Sequence, residues 1–433
     1  MVETIDGEAV DALGDEILDW RFKAVPASAH GSTVREYARS RRPLEEFGTP
    51  LMTLDAGALD HNLRLMAGWT RAAGVRLAPH GKTTMAPQLW RRQLDAGAWA
   101  VTVANLPQLR VARAFGVRRV LLANALLDPA GLAWLAAELE RCPDFTFLSW
   151  VDSVRAVELM NEALRHCHAQ RQVDVCVELG APGGRTGVRD ADEAVAVAEA
   201  VRKSPVLRLV GTAGYEGAVA HDASPEGLDA VAAYLRTLAD VHARLPHETG
   251  EPIVTAGGSA FFDQVVEALG GLDAHVVLRS GAYLVHDDGF YRDISPFARG
   301  SGDTGDTGDT GGGSGGEGSR LRSAMHGWAR VISCPEPGLA LLDAGKRDLP
   351  FDEGLPEPQL VRGAGPEPLA GARVTALNDQ HTFLEGARVE AGDVVRFGLS
   401  HPCTAFDKWT LIPVVDDAGA ARPVVVDLVR TWF

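Results

Sequence analysis

Lysine is rare in this chain: among 433 residues only Lys23, Lys82, Lys203, Lys346 and Lys408 carry an ε-amine, and every other basic side chain is arginine or histidine. An amine that loses its proton can act as a base or bond covalently to a carbonyl. Lys82 stands in the run Pro79-His80-Gly81-Lys82-Thr83-Thr84. Two glycine loops could complement it, Gly257-Gly258-Ser259 and Arg279-Ser280-Gly281. Glycine lets a backbone approach a phosphate closely, and a helix beginning nearby favours negative charge. A third feature is His401-Pro402-Cys403. In an extended segment, residues two apart face the same side. The proline between them suits a strand edge or the loop just after it. Imidazole with thiolate selects zinc over magnesium or manganese by softness. Each feature taken singly also reads as ordinary structure: a salt-bridged loop lysine, two strand-to-helix turns, and a histidine and cysteine close by chance.

These residues need elements to position them. From Val75 to Gly281 short apolar runs alternate with longer amphipathic patterns. The strand candidates are 75–79, 98–103, 118–123, 145–151, 173–179, 206–213, 252–255 and 275–279. Near-continuous apolar runs are expected of parallel strands covered on both faces. Eight of them with intervening helices predict a (β/α)8 barrel rather than an open doubly wound sheet. A ninth strand, 51–54, and a helix from about 56 to 73 precede the series. After residue 320 come short strands at 327–332, 338–342, 371–376, 393–397 and 410–414, predicting a small antiparallel β domain that strand 51–54 could join. The expected organisation is an N-terminal extension over 1–50, the barrel over 51–295, a flexible Gly/Asp/Thr-rich loop over 296–320, and the β domain over 321–433.

Active sites of such barrels lie at the C-terminal ends of the strands, and the loops after strands seven and eight often hold phosphate. Lys82 alone among the lysines follows a barrel strand, and the two glycine loops follow the seventh and eighth. A lysine at one strand end and a phosphate cup at two others predict pyridoxal 5'-phosphate held as a Schiff base. The glycines between Gly180 and Gly187 lack dinucleotide-fingerprint spacing.

Composition narrows the partners. Lys+Arg numbers 42 against Asp+Glu 58, a net charge of −16, which disfavours nucleic acid. The five cysteines form no C-x-x-C pair, as expected of a reducing compartment. No basic–apolar leader opens the sequence, and the most apolar stretch, 121–139, is broken by Asn124, Asp128 and Pro129. A cytoplasmic protein without membrane contact is expected.

The segment Leu77 to Pro87 resembles the P-H-x-K-T segment of the D-threonine aldolase/D-serine dehydratase family, whose members are fold-type III pyridoxal-phosphate enzymes with an alanine racemase-like barrel followed by a β domain. The resemblance spans about 48–295 and 320–433, through Arg185-Thr186-Gly187, Tyr215, both glycine loops, Asp343-Ala344-Gly345-Lys346, Asp379-Gln380-His381 and Ser400-His401-Pro402-Cys403. Ala78 and Thr84 depart from the arginine and histidine common in the family, and the run Thr404 to Trp409 resembles a bacterial amino-acid deaminase branch.

The resemblance implies Lys82 as cofactor carrier and base, with Arg185, Tyr215, Gly257, Gly258, Ser259, Arg279, Ser280 and Gly281 around the cofactor. It implies His401 and Cys403 as ligands of a divalent metal, zinc in the dehydratase branch, where the aldolase branch tends to have aspartate in the second place. His381 is implied near the metal or substrate hydroxyl. The reaction implied is dehydration and deamination of a D-3-hydroxy amino acid such as D-serine to a 2-oxo acid and ammonia, by a homodimer. Retro-aldol cleavage is the alternative on the same groups, and a cofactor carrier without turnover is a second.

Overall fold

The computed structural model describes residues 4–299 and 319–433. Most of the loop expected over 296–320 lies outside the described residues. The chain divides into two compact units, one of residues 4–6, 67–82 and 93–281, the other of residues 7–66, 83–92, 282–299 and 319–433. Strand β1 (Leu51–Asp55) belongs to the second unit, and helix Ala56–Ala72 leads on from it.

The first unit is the barrel. Its strands are β2 (Arg76–Leu77), β3 (Val101–Val103), β4 (Arg119–Leu122), β5 (Thr146–Val151), β6 (Val173–Leu179), β7 (Leu207–Gly214), β8 (Ile253–Ala256) and β9 (His275–Leu278). Successive strands pair in parallel from β3 to β9, and β9 pairs in parallel with β2. A parallel bridge from His80 to Thr102 closes the ring. All eight barrel strands expected from the apolar runs are present. Inward residues form one apolar cluster in which the small side chains of Ala78, Ala100 and Ala213 leave room for Trp150, beside Leu121, Leu148, Cys176 and Val277. Helices between strands start at polar caps: Ser153 accepts from the Ala156 amide at 3.2 Å, opening Val154–His166.

The second unit is a mostly antiparallel sheet of β1 with β10 (Met325–Glu336), β11 (Leu339–Leu342), β12 (Glu357–Val361), β13 (Arg373–Leu377), β14 (Thr382–Glu385), β15 (Val394–Gly398), β16 (Leu411–Val415) and β17 (Val425–Arg430). β1 runs antiparallel to β10 and parallel to β16. β1 thus joins the antiparallel domain as expected, with one parallel pair: no hairpin links β1 to β16, so their direction is set by packing. The extension before β1 packs on this sheet. Leu18, Phe22, Val34, Tyr37, Leu44 and Phe47 share one buried cluster with Trp328, Val394, Leu411 and Leu428. Among the described residues no helix is long and apolar enough to cross a membrane.

Candidate active site

In the barrel unit, β2 runs into Pro79-His80, and a single 3-10 turn, Gly81–Thr83, carries the half-buried Lys82. Gly281 packs against this segment. A Cβ there would lie 2.6 Å from the His80 carbonyl oxygen and 3.0 Å from its amide nitrogen, so only glycine fits without moving the lysine segment. The Nδ1 atom of His80 is buried with no hydrogen-bond partner among the described residues. Burial, then the charges of Lys82, Arg279 and Arg185, hold His80 well below the usual histidine pKa and therefore neutral. Three cations of the expected site thus act on one imidazole.

Arg279 is buried at the end of β9. Its Nη1 donates to Thr255 Oγ1 at 2.7 Å and its Nη2 to the Gly214 carbonyl at 2.6 Å. Its guanidinium lies 5.6 Å from the centre of the Trp150 ring. The Arg185 guanidinium lies 5.0 Å from the Tyr215 ring centre. Tyr215 is fixed by its backbone: its amide donates to the Tyr234 hydroxyl at 2.9 Å, which donates to the Leu179 carbonyl at 2.6 Å.

In the loop after β8, the first two glycine amides already have a partner. The Gly257 and Gly258 amides donate to the two carboxylate oxygens of Glu216, at 2.9 and 2.6 Å. Glu216 is fully buried, so these donors are committed to an anion the protein itself supplies. The Ser280 hydroxyl is committed too, lying 3.1 Å from the Gly257 carbonyl and 3.0 Å from that of Gly258. Both glycine loops are therefore clasped to each other and to the turn after β7. Gly257 has φ +92° and backs onto Leu278. Ser259 is the next residue along, half-buried before helix Phe262–Leu269.

Glu216 was not singled out by sequence reasoning, and neither was Glu178. Burial raises the Glu178 pKa, opposed by the Thr186 hydroxyl and the Arg279 charge. Its signal was available: in β6, Glu178 is two residues beyond Cys176, which points into the barrel, so a carboxyl shares the inward face.

The second unit carries the histidine–cysteine pair. His401 is left-handed, with φ +52°, and opens the one-turn helix Pro402–Phe406. This corrects the extended segment expected there. Proline at the first helical position has no amide to satisfy, so the turn forms directly after β15. The His401 amide donates to Asp287 Oδ2 at 3.0 Å, while Asp287 Oδ1 accepts from the Tyr291 amide at 2.7 Å. Burial pushes Asp287 up to about 6, against the pull of these donors.

The His401 ring is held from one side by Asp352, with Nδ1 2.5 Å from Asp352 Oδ2. Cys403 and Asp352 beside it push the His401 pKa up to about 9, with Cys403 the largest influence and burial opposing. The Cys403 thiol donates to Thr83 Oγ1 at 3.5 Å. His381 lies exposed in the turn between β13 and β14. Among the described residues there is no group of three or more His, Cys, Asp and Glu side chains that could hold a metal ion.

A closed parallel barrel with a lysine turn at one strand end, followed by a sheet bearing His-x-Cys, defines a class. The chain matches the family model of the alanine racemase N-terminal domain over residues 54–284 and that of a putative serine dehydratase domain over 324–415. It belongs to the alanine racemase-like, fold-type III family of pyridoxal-phosphate enzymes. Among individual proteins it is 27% identical over 379 residues to the D-threonine aldolase of an Arthrobacter species, covering 87% of this chain and 91% of that one. The crystal structure of D-threonine aldolase from Filomicrobium marinum superposes with a TM-score of 0.72 at 26% identity, over 90% of this chain and 97% of that one. A cysteine-to-alanine variant of D-threo-3-hydroxyaspartate dehydratase, solved in a metal-free form, has the same fold, with a TM-score of 0.69 at 22% identity over 90% and 99% of the two chains.

Proposed function

We propose that this chain is a pyridoxal-phosphate-dependent, metal-assisted lyase that dehydrates and deaminates a D-3-hydroxy amino acid such as D-serine. The observation that carries the choice is the thiol at 403, set beside an imidazole whose Nδ1 is already engaged by Asp352. Imidazole and thiolate are the donor types zinc prefers, and a two-residue pair leaves its other positions to substrate and water. A dehydratase of the same fold is known in a metal-free form as a cysteine variant, which supports the reading.

The barrel residues fit the organic cofactor. His80 Nδ1 is an orphaned buried polar atom beside the lysine turn, Gly281 keeps that turn clear of a side chain, Arg279 is held by two hydrogen bonds and Tyr215 by its amide, and the exposed Arg185 lies over the Tyr215 ring. Lys82 is assigned as carrier, with Arg185, Tyr215, Ser259 and Arg279 around the group, and Gly257, Gly258, Ser280 and Gly281 shaping its walls. Bound pyridoxal phosphate supplies an electron sink for the charge left at Cα. The Lys82 amine takes the Cα proton. Neutral His80 offers an imidazole that neither repels the Lys82 ammonium nor competes with it for that proton. Arg279, pinned by two hydrogen bonds, keeps a fixed positive charge at the end of β9.

His401 and Cys403 would hold a divalent cation, which supplies Lewis-acid polarisation of the substrate β-hydroxyl. The substrate loses water across Cα–Cβ, and the enamine so formed takes water back as it releases ammonia, leaving a 2-oxo acid.

The similarity to D-threonine aldolases favours a second reading, retro-aldol cleavage, in which the hydroxyl proton rather than Cα–H is removed. D-threonine separates the two. The proposal predicts 2-oxobutanoate with equimolar ammonia, lost on chelation. Acetaldehyde with glycine would make the chain an aldolase, and no product from any D- or L-hydroxy amino acid would leave a carrier.

A further inference from the structure

Asp352 is hydrogen-bonded to the His401–Cys403 turn and takes no part in the reaction proposed above. Asp352 lies in the connection between β11 and β12, far along the chain from the pair. Both of its oxygens are committed. Oδ2 meets His401 Nδ1 at 2.5 Å, and Oδ1 accepts from the Thr404 hydroxyl at 2.7 Å. Thr404 also reaches the His401 carbonyl, at 3.2 Å. The carboxylate is thus locked to the turn at two points, one on each side of Pro402-Cys403.

An imidazole that ligates a metal gives one bare nitrogen to the cation and keeps its proton on the other, and the partner of that proton decides which is which. We infer that Asp352 is a positioning residue for the metal pair: it holds the His401 proton on Nδ1 and so leaves Nε2 as the ligand nitrogen beside Cys403. The inference rests on the proposed metal reading and deepens it. A ligand role for Asp352 itself is disfavoured by geometry, since one oxygen is spent on the ring and the other on Thr404. A purely structural role is disfavoured by exposure. The side chains of Asp352 and His401 are 40% and 26% exposed, and an ion pair so open to water contributes little to folding. What it does supply is orientation. Carboxylates placed behind ligating histidines fix ring direction and strengthen the ring nitrogen as a donor, and losing them commonly costs about 10–100-fold in metal affinity.

The test measures zinc affinity of the full chain by chelator competition, with the cobalt-substituted absorption spectrum as a second readout. Asp352→Asn should bind zinc about 10–100-fold more weakly than the wild type while its melting temperature stays close. Its cobalt complex should keep the thiolate-to-metal band, because Cys403 is untouched. Asp352→Glu should recover part of the affinity. Asp352→Asn and Asp352→Ala binding zinc as tightly as the wild type, beside loss of binding in His401→Ala, would overturn this inference alone. A wild-type chain that binds no zinc would overturn the metal reading and this inference with it.

Discussion

The Cys403 thiol donates to the Thr83 hydroxyl at 3.5 Å, and Thr83 is the residue that follows Lys82 in the chain. Thr83→Val keeps the side-chain volume and removes the acceptor. A weak thiol bond of this kind contributes about 0.5–1 kcal/mol at most, so unfolding by urea should shift little. Turnover at saturating D-serine should fall several-fold. An unchanged kcat would reduce the contact to packing.

Glu216 is the largest single departure from a simple phosphate cup. Glu216→Ala would leave the Gly257 and Gly258 amides, one of them buried, without an acceptor. Each unsatisfied buried donor costs about 1–3 kcal/mol, so a loss of about 2–5 kcal/mol in unfolding free energy is expected, with weaker cofactor binding by fluorescence titration. Glu216→Gln should fall between, since an amide offers one acceptor where the carboxylate offers two.

Gly281→Ala tests whether the barrel's last loop shapes the lysine turn. The added methyl meets His80 backbone atoms rather than a flexible side-chain end, so that segment must move. Cofactor affinity should drop at least tenfold while circular dichroism stays native. Wild-type affinity in this variant would separate the Gly281 loop from the site.

Acid should weaken the barrel through His242. Its Nδ1 lies 2.7 Å from Thr212 Oγ1, its ring is 4.4 Å from that of His247, and burial first, then the His247 charge, pushes its pKa from 6.5 to about 4. Between those values the unfolded chain binds a proton that the folded chain refuses. Stability is therefore full above about pH 6.5, falls as pH drops toward about 4, and loses nothing more from this group below that. The loss is about 3 kcal/mol. Denaturant unfolding at a series of pH values should show this slope, and His242→Asn should remove about 3 kcal/mol of it, while the buried His80, His286 and His326 keep their own shares.

The barrel was legible because parallel strands covered on both faces leave apolar runs that need no partner to be recognised. The second sheet was less so. β12 contains Pro358 and is largely half-exposed, and β14 has four residues. The parallel pairing of β1 with β16 depends on contacts remote in sequence. At the candidate site, Lys82, His401 and Cys403 could be singled out by residue type alone. Their supports could not. Glu216, Asp287 and Asp352 are ordinary acids in the sequence, and only the fold brings them to two glycine amides, the His401 amide and the His401 ring. Nor does any local pattern announce that a histidine will adopt φ +52°.

Five lysines make the central assignment unusually easy to test. Reducing the cofactor-loaded protein with borohydride fixes the group on whichever amine carries it, and peptide mass mapping then reads the residue. The account predicts one modified site, Lys82, and a Lys82→Ala chain with neither the cofactor's absorption band nor turnover. Modification at Lys23, Lys203, Lys346 or Lys408, or turnover surviving in Lys82→Ala, would contradict it.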